Sequence, residues 1–139
     1  MILNSEGANL RTNQLRNGRN VTASNPQLTP ANSMVFGTGF VTNLYAGTVL
    51  NVNRSHSITF DLPNGGFASA RVSGLTDVAS ALRHPQDGDS GGTIFTDIDP
   101  GFGRSRLEGI LTGGNRYSTQ WSFTPFGWIN GTFNPRFAN

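Results

Sequence analysis

The chain has 139 residues, 35% hydrophobic and only 13% charged, which suits one domain and leaves little room for two. Its formal charge is +2, and its ten basic residues, all Arg, are scattered from Arg11 to Arg136, so the dense basic patch that nucleic acid requires is missing. No run approaches the roughly eighteen apolar residues of a membrane helix, and without cysteine there is no disulfide framework to fix the compartment.

Residues 1–32 are polar and Asn-rich, broken by Asn25-Pro26 and Thr29-Pro30, and read as an arm or linker with an edge strand near Val21. From Ser33 the texture changes. Met34-Val35-Phe36 and Phe40-Val41 are apolar bursts, and Tyr45 to Val52 alternates as a strand should. Ser57 to Leu62 and Phe67 to Val72 form two strands around Pro63-Asn64-Gly65-Gly66, a hairpin signal because Asn-Gly tolerates positive φ. Thr76 to Leu82 reads as one helical turn. Thr93 to Thr96, Leu107 to Leu111 and Trp121 to Thr124 are further strands, followed by a short helix or turn over Pro125 to Asn130. The Asp97-Ile98-Asp99 pair of acids reads as a hairpin loop with Pro100-Gly101 rather than a metal fragment. Eighteen Gly and seven Pro over the whole length, with no helical stripe, point to an all-β fold of six to seven short strands in a barrel or sandwich. Residues 33–139 would form that body, including the loop that carries the chemistry.

That loop is Gly88-Asp89-Ser90-Gly91-Gly92, set between a turn-rich stretch and the apolar strand Thr93-Ile94-Phe95. Flanking glycines let the backbone turn sharply and leave Ser90 uncrowded. The amides of Gly88 and Ser90 could then aim at one small space, where a tetrahedral oxyanion would be stabilised. Asp89 would anchor the loop as a buried carboxylate held by a partner cation.

The segment resembles the nucleophile loop of chymotrypsin-like serine peptidases, and its neighbours match in order. Gly37-Thr38-Gly39-Phe40-Val41 and Ala46-Gly47-Thr48-Val49 are similar to stretches of the streptogrisin-type bacterial enzymes. Glu108-Gly109-Ile110-Leu111-Thr112-Gly113-Gly114 resembles the strand whose backbone pairs with substrate, and Trp121-Ser122-Phe123-Thr124-Pro125 the far wall of the specificity pocket. The resemblance covers about residues 33 to 130 and corresponds to the second of the family's two barrels. It implies a single antiparallel barrel with Ser90 as nucleophile and Gly88 and Ser90 as amide donors. Thr112, Gly113 and Gly114 would be the docking edge, with His84, Trp121 and Phe123 lining the pocket. Thr93 stands where the family often has Pro, and the cysteine-free chain lacks the disulfide that often braces the pocket.

In this family the base His and its Asp come from the first barrel. The two histidines here, His56 and His84, stand in no such motif, and both read as surface or pocket-wall residues; His84, six residues before Ser90, is the better geometric candidate for a base. The resemblance therefore implies the nucleophile half of a serine endopeptidase, inactive alone. Its other barrel would be a partner chain or a missing domain, its substrate a peptide or protein, and its setting extracellular, with no cofactor, metal, nucleic acid or membrane partner. No Asp occupies the pocket-floor position in the resemblance, which disfavours a Lys- or Arg-selecting pocket unless Asp87 reaches it. The alternative is a catalytically silent, protease-derived module that binds a peptide or glycan, with Tyr117, Trp121, Phe126, Trp128 and Phe133 as an aromatic platform.

Overall fold

Stretches rich in Thr, Val, Ala and Ser, punctuated by Gly and Asn, favour extended backbone because β-branched side chains pack well on a pleated surface. The computed structural model describes residues 19–99, 101, 103–114 and 119–133, with 4–5, 8–9 and 15. Strands β1 (Asn4–Ser5) and β2 (Ala8–Asn9) form a small antiparallel pair. The main sheet contains β3 (Asn20–Ser24), β4 (Met34–Thr38), β5 (Tyr45–Asp61), β6 (Phe67–Leu82), β7 (Thr93–Asp99), β8 (Arg104–Gly114) and β9 (Gln120–Pro125), and helix α1 (Phe126–Phe133) follows directly.

The strand order is β3-β8-β7-β4-β5-β6-β9, and a further β8–β9 pairing closes a six-stranded antiparallel ring. Closure removes the open edges that a flat sheet would expose. The all-β barrel read from the sequence is what the chain forms. β3 lies outside the ring and pairs in parallel with β8, Asn20 beside Arg104 and Ser24 beside Leu107. Arg19 secures this addition through Asp97 at 2.6 Å and Ser105 at 2.9 Å. β7 and β8 form the hairpin read at this point, but Asp97 and Asp99 belong to strand β7 rather than to its loop.

The barrel core is Val35, Tyr45, Val49, Val78, Ile94, Leu111, Trp121 and Phe123, all buried. Tyr45 meets Trp121 edge to face, ring centroids 5.2 Å apart, the geometry that sets a positive ring edge against a negative face. The helical turn read over Thr76 to Leu82 is also corrected. Thr76 pairs with Phe123 and Val78 with Trp121, so the segment is a strand hydrogen-bonded between β5 and β9, with Thr76, Asp77 and Val78 all buried. Tertiary pairing on both sides overrides the weak local signal.

β5 and β6 run on past the barrel as a two-stranded ribbon, closed by the expected turn at Pro63-Asn64-Gly65-Gly66, where Gly65 has φ 88°. The ladder is interrupted by register shifts between Val49 and His56, and both Asn53 and Gly74 have positive φ. Bulges and left-handed residues bend a strand pair sharply. As a result His56 reaches Asp77, although the ladder pairs Asp77 with Asn51 and His56 with Val72.

Candidate active site

Strand β6 ends at Leu82, and Arg83, with φ 55°, turns the chain into the segment that carries Ser90. Asp89 N–H donates to the Gln86 carbonyl at 3.0 Å, and Gly92 N–H to the Asp89 carbonyl at 3.0 Å, which winds the segment into consecutive turns. Gly88 sits between them at φ 97°, where an L side chain would be strained. Two further bonds lace the loop to β8: Gly91 N–H to the Leu111 carbonyl, and Leu111 N–H to the Gly92 carbonyl, both 2.9 Å. The exposed Ser90 is thus fixed beside the end of β8, at Thr112.

Asp89 is 1% exposed. Its Oδ1 accepts the amides of Val41 and Thr42, each at 2.8 Å, and its Oδ2 the amide of Gln86 at 2.9 Å. Burial alone would push the carboxyl up, but the bonds from Gln86, Thr42 and Val41 outweigh it and hold it below the ordinary aspartate value. The expected partner cation is corrected, because no ion pair to Asp89 occurs among the described residues. Three aligned amides neutralise the charge where a cation was expected. Two of the donors come from the turn at Gly39–Thr42, closed by Gly39 N–H to the Thr42 carbonyl at 3.0 Å, and the third from Gln86 in the Ser90 segment itself. The Gly37-to-Val41 stretch singled out in the sequence leads into this turn, but nothing in it betrays the target of the amides.

The amides of Gly88 and Ser90 have no intramolecular partner among the described residues. The cleft beside them is lined by Ser90, His84, Pro85, Gln86, Thr112, Gly113 and Gly114, with Arg83 and Asp87. His84, Thr112, Gly113 and Gly114 therefore gather around Ser90. A Cβ on Gly114 would crowd the His84 ring, so glycine lets the imidazole lie against the strand. Trp121 and Phe123 do not line this cleft. In β9 they share the inward register that Val78 and Thr76 occupy in β6, and barrel packing consumes both, at 1% and 0% exposure. Trp121 also lines a second cleft together with Thr112, Gly113 and Gly114, whereas Phe123 lines neither cleft.

Neither histidine is hydrogen-bonded to Ser90. His84 Nδ1 lies 2.7 Å from the Ser80 hydroxyl. His56 Nε2 lies 2.7 Å from Asp77 Oδ1, which also accepts the Ser122 hydroxyl at 2.7 Å, while Arg54 approaches Oδ2 at 3.6 Å. Sequence reasoning missed this Asp77 cluster because its members are far apart in the chain and meet only through the bend of the ribbon. Of the aromatic platform, Trp128 is exposed, Trp121 and Phe126 are buried, and Tyr117 and the Phe133 side chain lie outside the described residues, as does Pro100. No described helix is long and apolar enough to cross a membrane.

No protein-family model matches the sequence, and no curated protein matches it. Solved structures do. A chymotrypsin from Cellulomonas bogoriensis is 26% identical with a TM-score of 0.65, over 96% of this chain and 65% of that one. Protease A of Thermobifida fusca is 25% identical with a TM-score of 0.58, over 87% of this chain and 56% of that one. A Nocardiopsis protease, 22% identical with a TM-score of 0.60 over 91% of this chain and 59% of that one, shares the fold. This chain thus spans less than two thirds of each of these proteins, and its barrel is that of the chymotrypsin-like bacterial serine proteases.

Proposed function

We propose that this chymotrypsin-like barrel is the nucleophile-bearing part of a serine endopeptidase, with the general base and its orienting carboxylate supplied from outside the residues described. One observation carries the reading: Ser90 is exposed on a loop anchored by a buried carboxylate, at the mouth of a cleft that the Thr112–Gly114 edge also lines. An extended substrate would pair its backbone with that edge and bring its scissile carbonyl to Ser90. Ser90 Oγ would attack the carbonyl carbon as the external base takes the hydroxyl proton. The unpartnered amides of Gly88 and Ser90 would hold the oxyanion. Collapse would expel the amine, protonated by the same base, and water would then release the acyl group from Ser90. Arg83 and the His84 imidazole line the cleft as hydrogen-bond donors, which favours a small or acidic residue before the scissile bond over a basic one. The setting is extracellular, as the resemblance to bacterial secreted proteases implies.

A second reading, the silent peptide- or glycan-binding module, is favoured by the engagement of both histidines away from Ser90. A fluorophosphonate probe separates the two. The proposed half-enzyme labels slowly at Ser90 alone and rapidly once a barrel carrying His and Asp is added; the silent module stays unlabelled in both conditions. Rapid labelling of the chain alone, abolished by Ser90→Ala, would refute the external base.

A further inference from the structure

We propose that Asn64, at the tip of the β5–β6 ribbon, is a site of self-modification. Its side chain closes on the amide nitrogen of Gly65, and position 64 becomes aspartate and isoaspartate without any enzyme. The site lies apart from Ser90, since neither Asn64 nor Gly65 lines the clefts beside it.

Three features of the turn prepare the reaction. Asn64 and Gly65 are both exposed, so water reaches the carboxamide and the peptide that follows it. Gly65 carries no side chain to obstruct its own nitrogen, and even a Cβ placed on it, at φ 88°, would meet nothing within 4 Å. Asn64 Oδ1 accepts the Gly66 N–H at 3.0 Å. That bond folds the carboxamide back over the Asn64–Gly65 peptide and draws electron density from Cγ, the carbon under attack. The brake is the Gly65 N–H itself, which donates to the Leu62 carbonyl at 3.1 Å. A neutral bond in an exposed turn opens and recloses readily, so it delays the nitrogen without sequestering it.

The Gly65 nitrogen adds to Cγ as water or hydroxide takes its proton. The Cγ–Nδ2 bond then breaks, and the side-chain nitrogen leaves as ammonia. The product is a five-membered succinimide ring, which one water opens at either of its two carbonyls. Breaking the new N–Cγ bond gives aspartate. Breaking the original peptide C–N bond instead routes the chain through Cγ as isoaspartate, lengthening the backbone by a methylene. Each route exchanges an amide for a carboxylate, so the formal charge falls by one from +2.

The same chemistry passes over the neighbouring exposed asparagines. Asn43, Asn51 and Asn53 precede Leu44, Val52 and Arg54, whose side chains crowd the nitrogen, and the last two asparagines lie within β5. Asn130-Gly131 lies in α1, where the helical hydrogen bond engages the N–H of residue 131. Asn17-Gly18 lies outside the described residues.

The test is ageing of the whole folded chain at neutral to mildly alkaline pH, followed by trypsin digestion and mass spectrometry. Cleavage after Arg54 and Arg71 isolates residues 55–71, in which Asn64 is the sole asparagine. That peptide should yield two new species, each heavier by about one dalton. An endoproteinase specific for aspartate should cut one of them at position 64 and spare the other there. Residues 20–54, which hold Asn43, Asn51 and Asn53, should convert at least about tenfold more slowly. Gly65→Ala should slow conversion of the ribbon by about tenfold or more. Asn64→Gln, whose extra methylene demands a six-membered ring, should abolish it. The chain unfolded in guanidinium supplies the reference rate. An Asn64 that converts there but stays intact in the folded chain would show that the Leu62 bond locks the turn, and would overturn the proposal. A Gly65→Ala chain that ages as fast as the parent would also overturn it. A single product, cut throughout by the aspartate-specific enzyme, would mean direct hydrolysis of the side chain and overturn the ring.

Discussion

Asp89→Asn replaces the anchor of the loop that carries Ser90 with a side chain of the same shape. In the native chain three amides point at the carboxylate, two at Oδ1 and one at Oδ2. The best placement of Asn keeps its oxygen on Val41 and Thr42 and turns its NH2 toward the Gln86 amide, donor against donor. One buried hydrogen bond is lost and its donor stranded, which costs about 1–3 kcal/mol. The two that remain fall from charge-assisted to neutral strength, adding roughly 1 kcal/mol. The sum is about 2–4 kcal/mol, a fall in urea midpoint of about 1–2 M for a protein of this size. The effect should depend on pH. Because the folded carboxyl is held below its unfolded value, its contribution is fully present above the unfolded pKa, near 3.9, and is lost as pH falls through the lower folded value. Urea melts of the two chains at neutral pH and at successively lower pH should therefore converge in acid. A neutral-pH difference under about 0.5 kcal/mol, or one that persists unchanged in acid, would refute the anchor.

Tyr45 is fully buried, and its hydroxyl has no partner among the described residues. Tyr45→Phe removes that stranded group and should leave stability within about 1 kcal/mol of the parent or raise it, by thermal melting. Burial first, and the Asp89 charge second, push the phenol above its ordinary range. The unfolded chain then ionises before the folded one, and stability should decline as pH rises past about 10, less steeply in Tyr45→Phe. Trp121→Ala empties the centre of the core and should cost about 3–5 kcal/mol, measured by urea denaturation. A smaller loss would mean that the barrel collapses onto the site.

Local chemistry made the barrel and the tight loop around Ser90 legible. Thr- and Val-rich alternation gives strands, Asn64-Gly65 gives the hairpin turn, and the glycines around Ser90 give a tight, exposed loop, because each preference acts over a few residues. The same locality explains the failures. Thr76 to Leu82 has no strong preference of its own, and β5 and β9 decide it from either side. Phe123 lies on the strand that the resemblance indicated, but the inward register of β9 places it in the core. The sequence by itself determined the class of fold and the tight, glycine-flanked loop on which Ser90 is exposed. Only the tertiary structure decided what holds Asp89 and where the two histidines are engaged. Those outcomes depend on residues distant in sequence, and they are fixed by barrel closure and by bulges that bend one long hairpin.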